Sequence, residues 1–127
     1  MIAVDTNVVV RMITADDRTQ LAAVEARLSE GFFISLGVLM EVEWVLRSSY
    51  RFKREEINHV LLTLVVLDEI RVPNVAFVLW ALDRHGEGAD FADMLHVVAA
   101  RGASSFLTFD KDLADVADAP LPIEVLK

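Results

Sequence analysis

The chain has 127 residues, 54% of them hydrophobic and 25% charged, with a formal net charge of −8 and no cysteine. This length suits one domain spanning 1–127 around a single core, and the composition excludes a disordered tail. The missing thiols exclude a disulfide framework, a thiolate metal site and a cysteine nucleophile, while the acidic balance counts against a binding module that uses a basic patch.

Hydrophobic periodicity alternates short strand-like runs with helical ones. Ile2 to Val4 reads as a buried strand ending at Asp5, and Asn7 to Ile13 as a short helix. Asp17-x-x-Gln20 resembles a capping box that opens a helix to about Leu28. After Gly31, Phe32 to Ser35 is a second strand, followed by helices from about Leu36 to Ser49 and Arg54 to Leu67. Ile70 to Val72 is a third strand, ended by Pro73, and Asn74 caps a helix to about Arg84. Gly86-Glu87-Gly88 leads into a helix from about Phe91 to Arg101, which Gly102 stops. Ser105 to Phe109, Lys111 to Val116 and Ile123 to Leu126 complete the pattern as strand, short helix and strand. Such alternation predicts an α/β domain with a mainly parallel sheet, in which ligands gather at the carboxyl ends of strands. Asp5 and Asp110 both stand there.

Five acids, Asp5, Glu41, Asp90, Asp93 and Asp110, lie beside or within apolar segments that no matching set of Lys or Arg interrupts. Acids near a core cost several kcal/mol unless neutralised, by about the magnitudes known for buried charges. A divalent cation is the simplest partner. At about 100° per residue, Glu41 is expected at the edge of a stripe made by Val38, Val42 and Val45, near the core or a cleft. Glu43 is expected on the solvent side as a surface ion pair with Arg47. Asp90 and Asp93 share a helix face, so each raises the other's pKa unless a cation lies between them. Asp90 and Asp110 can equally be N-caps, Glu41 can be a semi-buried acid held by protein donors, and Asp5 has no evident structural duty.

Arg11, Arg47, Arg51, Lys53, Arg54, Arg84 and Arg101 are candidates to touch a phosphate backbone, with Arg51, Lys53 and Arg54 the one dense cluster. The histidines form no ligand set, there is no serine-hydrolase arrangement, and no Walker or dinucleotide glycine pattern occurs. The longest apolar stretches, such as Val75 to Leu82, are too short for a membrane span. The N-terminus lacks the layout of a signal peptide, so a cytoplasmic location is expected. The mean hydropathy of +0.42 points to some surface covered by another subunit or partner.

Four segments together carry a resemblance. They are Ile2-Ala3-Val4-Asp5-Thr6-Asn7-Val8-Val9-Val10-Arg11; Met40-Glu41-Val42 continuing to Trp44-Val45-Leu46; Ala89-Asp90-Phe91-Ala92-Asp93-Met94-Leu95-His96; and Leu107-Thr108-Phe109-Asp110-Lys111-Asp112. In this order and spacing the chain resembles the PIN-domain ribonucleases, specifically the VapC-type toxins of prokaryotic toxin–antitoxin modules, from residue 1 to about 126. The resemblance implies a three-layer α/β/α domain and an acidic cluster binding Mg²⁺ or Mn²⁺ at Asp5, Glu41, Asp93 and Asp110, with Asp90 as an additional acid. Thr6, Asn7 and Thr108 match positions that support the acids by hydrogen bonding. It also implies an RNA substrate, a homodimer and a cognate antitoxin that covers the acidic cleft. Mg²⁺ suits carboxylate and water oxygens and is often held by only one or two carboxylates. A phosphatase of the haloacid dehalogenase type would need a second aspartate where Asn7 stands, and a non-catalytic module would use the acids only to receive a partner's arginines.

Overall fold

The first strand, β1 (Ile2–Ala3), opens a computed structural model that describes residues 1–127. The chain divides into two units, Met1–Val75 and Ala76–Lys127, and every strand pair in either is parallel. In the first unit β1 is followed by α1 (Thr6–Thr14), α2 (Arg18–Glu25), a 3-10 turn (Leu28–Glu30) and β2 (Phe32–Phe33). Then come α3 (Leu36–Ser48), α4 (Arg54–Val65) and β3 (Ile70–Arg71). The strands lie in the order β1-β2-β3, with Ile2 opposite Phe32 and Phe32 opposite Ile70. Parallel neighbours cannot be joined by a tight hairpin, so helices make both crossovers.

The strands are shorter than the runs Ile2 to Val4 and Phe32 to Ser35 predict, because the chain turns into a helix as soon as pairing ends. Backbone pairing nonetheless reaches one residue further: the Val4 N–H donates to the Phe33 carbonyl at 3.1 Å, and the Ile34 N–H to that of Arg71 at 2.8 Å. The next residues, Asp5 and Ser35, then cap helices. Asp5 accepts from the Val8 N–H and Ser35 from the Val38 N–H, each at 3.2 Å, satisfying donors that an unfinished helix leaves free. The core beneath is aliphatic, with Val9, Val10, Ile34, Leu39, Val42 and Leu46 at 1% exposure or less.

Asp17 caps α2 as expected, accepting from the Gln20 N–H at 3.0 Å. The Gln20 side chain does not complete a capping box; its Oε1 accepts from Arg11 Nε at 2.6 Å instead. Arg11 is thus tied into a surface network and not held out for a phosphate. Its Nη1 lies 3.5 Å from Asp16 Oδ1, which also accepts from the Thr14 hydroxyl at 2.9 Å, while Asp16 Oδ2 accepts from the Tyr50 hydroxyl at 2.6 Å. These bonds, Tyr50's first and Thr14's next, hold the Asp16 carboxyl below its ordinary value of 3.8.

The second unit carries α5 (Val75–Gly86), α6 (Phe91–Ala99), β4 (Phe106–Thr108), α7 (Lys111–Ala114) and β5 (Ile123–Val125). β4 and β5 pair in parallel, Phe106 opposite Ile123 and Thr108 opposite Val125. Phe91, Met94, Leu95, Val97 and Val98 are all buried, so α6 is apolar around most of its circumference, as a central helix must be. It ends at Ala99 with Ala100 as its cap, short of the expected Arg101, and Gly102 in the turn beyond has a φ of +99° that favours a residue without Cβ. On α5, Trp80 Nε1–H donates to the Ala117 carbonyl at 2.9 Å, and the buried His85 meets Phe91 edge-on at 5.5 Å between ring centroids. No helix is long and apolar enough to cross a membrane.

A carboxyl whose folded pKa is depressed contributes stability above its unfolded pKa and loses it as pH falls through the folded one. Tyr50→Phe should therefore lower the melting temperature at pH 7, and the gap from wild type should narrow as pH falls below the ordinary 3.8 of Asp16. Parallel thermal melts at pH 7 and at acid pH check this; a gap that widens with acid would contradict the assignment.

Candidate functional site

Three of the five acids serve the backbone. Asp5 caps α1, Asp90 caps α6 by accepting from the Asp93 N–H at 2.9 Å, and Asp110 caps α7 by accepting from the Asp112 N–H at 2.9 Å. For Asp5 this corrects the expectation of an acid without structural duty: the strand ends one residue too early for Asp5 to close it, so the carboxylate opens the helix instead. In each case one carboxylate oxygen, Oδ1, takes the N–H bond. All three residues are exposed, leaving the other oxygen open to solvent.

Glu41 and Glu43 exchange the places expected of them. Glu41 is exposed, and Glu43 is buried at 6% exposure. The buried stripe of α3 runs through Leu39, Val42, Glu43 and Leu46, while Val38 and Val45 are only half-buried. Around a stripe centred on Leu39 and Leu46, Glu41 points nearly opposite, at about 100° per residue. The Glu43 carboxylate is met by Arg47 Nε at 2.8 Å and Nη2 at 3.3 Å, so the expected pair exists, with its acid inside rather than on the surface. Arg47 is therefore engaged with Glu43.

In the second unit Asp90, Asp93, Asp110 and Asp112 line one cavity of about 200 Å³, together with Gly88, Ala89, Met94, Leu113 and Val116. No basic side chain lines it. Asp93 is half-buried, and its pKa is raised above 3.8, first by burial and then by the charges of Asp90 and Asp110, with His96 opposing. The effect of Asp90 on Asp93 is thus as expected, and Asp110 adds to it. Asp112 was not among the candidates; its signal was the Asp-x-Asp spacing from Asp110 at the start of α7. Thr108 does support its acid, its hydroxyl accepting from the Asp110 N–H at 3.0 Å. Thr6 is buried and Asn7 exposed, and no hydrogen bond joins either to Asp5.

These donors fit a hard divalent cation. All are carboxylates, several with an oxygen unused by the protein, and Asp93 is held against like charge that a cation would relieve. As the side chains stand, no three Asp, Glu or His residues are close enough together to hold one ion. The acids of the second unit line a common cavity without meeting at a point, an arrangement compatible with an ion that keeps several waters and takes one or two carboxylates.

Among the remaining cations, Arg84 is bound to Asp83 and lies 3.7 Å from Glu87. Arg101 lies 5.3 Å from the Phe77 ring centroid. Arg51, Lys53 and Arg54 are exposed at the start of α4, where the Lys53 N–H donates to Glu56 at 2.8 Å.

Two expected outcomes follow from this geometry. Glu43→Ala should destabilise the chain by about 1.5–3 kcal/mol, as for a lost hydrogen-bonded charge, whereas Glu41→Ala should change stability by less than about 0.5 kcal/mol. Denaturant titration of both variants decides the helix phase, and equal effects would refute it. A carboxyl whose folded pKa is raised favours the fold below its unfolded pKa and loses that contribution as pH rises. In EDTA, Asp93→Asn should therefore melt above wild type at pH 7, with the advantage vanishing below about pH 3.8. A variant that melts lower at pH 7 would show that Asp93 is already compensated.

A family model described as the PIN domain matches residues 2–119 of the chain. No curated protein matches it.

Proposed function

Because the chain belongs to the PIN domain family, an α/β/α class with a mainly parallel sheet, we propose that it is a metal-dependent endoribonuclease and the toxin of a type II toxin–antitoxin pair, acting in the cytoplasm. PIN domains are typically metal-dependent nucleases that bind divalent metals and act on nucleic acids. RNA as the substrate, Mg²⁺ or Mn²⁺ as the ion and the toxin role go further, supported by the four motif segments that resemble VapC-type toxins. The observation that carries the nuclease reading is the acid-lined cavity around Asp93, which has no basic side chain in its wall.

In this reading Asp5 and Glu41 in the first unit, and Asp93, Asp110 and Asp90 in the second, are the acids that would hold the metal or orient the attacking water. Bound Mg²⁺ supplies a water of lowered pKa, charge neutralisation at the phosphate and stabilisation of the leaving oxygen. The cap bonds at Asp5, Asp90 and Asp110 fix these carboxylates in direction before substrate arrives. The half-burial of Asp93 limits the water that would screen its charge.

The antitoxin part of the proposal draws support from a groove of about 460 Å³ in the first unit. Its walls are mainly apolar, from Ile2, Val4, Val8, Ala23, Val24 and Phe32, and Asp5 lies in it. An apolar helix of the partner suits the walls, and an arginine from it suits the carboxylate, since its planar fork engages two oxygens at once. A homodimer is part of the same reading, with Val66 and Leu67 exposed at the end of α4.

Asp5→Asn is expected to reduce Mg²⁺-dependent RNA cleavage by about 10²-fold or more, the scale for losing one preorganised charged group. Asparagine caps helices as well as aspartate does, so the melting temperature in EDTA should change little. Glu41→Gln should abolish cleavage and Glu43→Gln should not. Cleavage that persists in EDTA, or in Asp5→Asn, would overturn the proposal. For regulation, co-expression with the neighbouring small gene product should abolish toxicity. Neutralising its basic residue near Asp5 should restore part of the cleavage while the complex persists; inhibition that needs no such residue would mean simple steric cover.

A further inference from the structure

The chain holds seven phenylalanines, two tryptophans and one tyrosine, and only Trp44 and Phe109 among them are exposed, at 56% and 77%. Both adjoin acids of the proposed metal set. Trp44 lies one turn after Glu41 on the solvent side of α3, where side chains three apart stand about 5–6 Å from each other. Phe109 directly precedes Asp110 at the end of β4. The two cases arise separately, one in each unit.

Neither ring has a local reason to be bare. A carboxylate gains nothing from the negative face of an aromatic ring. The Trp44 indole N–H bonds no protein group, whereas that of Trp80 is committed to the Ala117 carbonyl at 2.9 Å. Scattered surface aliphatics are ordinary, but of the ten rings two are buried, six half-buried and only these two exposed, each beside an acid of the proposed metal set. Flat rings next to a phosphate-handling site are what unpaired nucleobases stack on, with little regard to sequence.

We propose that Trp44 and Phe109 are each a stacking platform for an unpaired base of the nucleic-acid substrate. This rests on the nuclease reading for its choice of occupant. The two residues act in positioning: each holds a base and thereby sets which phosphodiester lies over the neighbouring acid. A duplex keeps its bases stacked on one another and offers neither platform a face.

The test reads binding apart from cleavage. In a Trp80→Phe background Trp44 is the sole indole, and its emission is followed with Ca²⁺ in place of Mg²⁺ while a random-sequence pool of single-stranded RNA 12-mers is added, its integrity checked on a gel. Saturable quenching by the single strands, and none by the same pool annealed to its complement, is expected. With labelled RNA, Trp44→Ala and Phe109→Ala should each weaken binding roughly five- to hundredfold, the range for one lost stacked base. Trp44→Phe and Phe109→Trp should restore it, and Trp44→Leu and Phe109→Leu should not.

The proposal is overturned if leucine binds as well as the aromatic ring, if duplex quenches equally, if no RNA binds, or if Trp44 responds to a protein partner and not to RNA. Cleavage with unchanged binding by the alanine variants would remove the platforms and leave the nuclease reading standing. Quenching and weakened binding without any metal-dependent cleavage would remove the nuclease reading alone.

Discussion

One interaction recurs at the start of helix after helix: a short acid or hydroxyl side chain, placed just before the first turn, accepts a backbone N–H that the helix cannot satisfy internally. Asp5, Ser35, Asp90 and Asp110 do this for α1, α3, α6 and α7. Strands of two or three residues contribute few ladder bonds of their own, so the strand-to-helix turns must be set by these caps. The same geometry places carboxylates just past the carboxyl ends of β1 and β4, each with one oxygen engaged by the helix start. Structural need and candidate chemistry therefore share atoms, and the acids are positioned by the parts of the fold that form most locally.

This sharing explains what the sequence disclosed and what it hid. Strand and helix order was legible because apolar periodicity and punctuation agree along the chain; Asp17 and Ser35 each stand where a helix begins. Strand ends were overestimated, since Val4 and Ile34 still pair through their backbones although the assigned strands stop before them. Asp5 was legible as a notable acid but not as a cap, because the strand run hid where the helix begins. The candidate site residues were visible as acids near apolar runs; whether they act on one ion is a matter of side-chain placement that periodicity cannot address.

The exchange of Glu41 and Glu43 has a different cause. Segment 38 to 46 is apolar at most positions, so two stripes about 100° apart fit almost equally well, and the phase cannot be read from hydrophobicity. The structure breaks the tie through a polar contact: Arg47 reaches back one turn and satisfies a carboxylate at the edge of the core. Only the acid of this pair is buried, the arginine being 55% exposed, and removing the arginine would leave that carboxylate unpaired at the edge of the core, which is costly. The pair thereby fixes the rotation of α3, and with it the side from which Glu41 emerges. Arg11 plays a comparable part at the surface, gathering Asp16, Gln20 and Tyr50 around the turn between α1 and α2.

Aspartate and asparagine codons differ by a single base, and a cap that accepts either side chain gives that change an unusual genetic meaning at Asp5. Most inactivating mutations act by unfolding a chain, which proteases then remove. A substitution that deletes the charge but preserves the cap would leave the chain folded and abundant. Loss of charge and loss of fold are thereby separable at this one position, by a single base change.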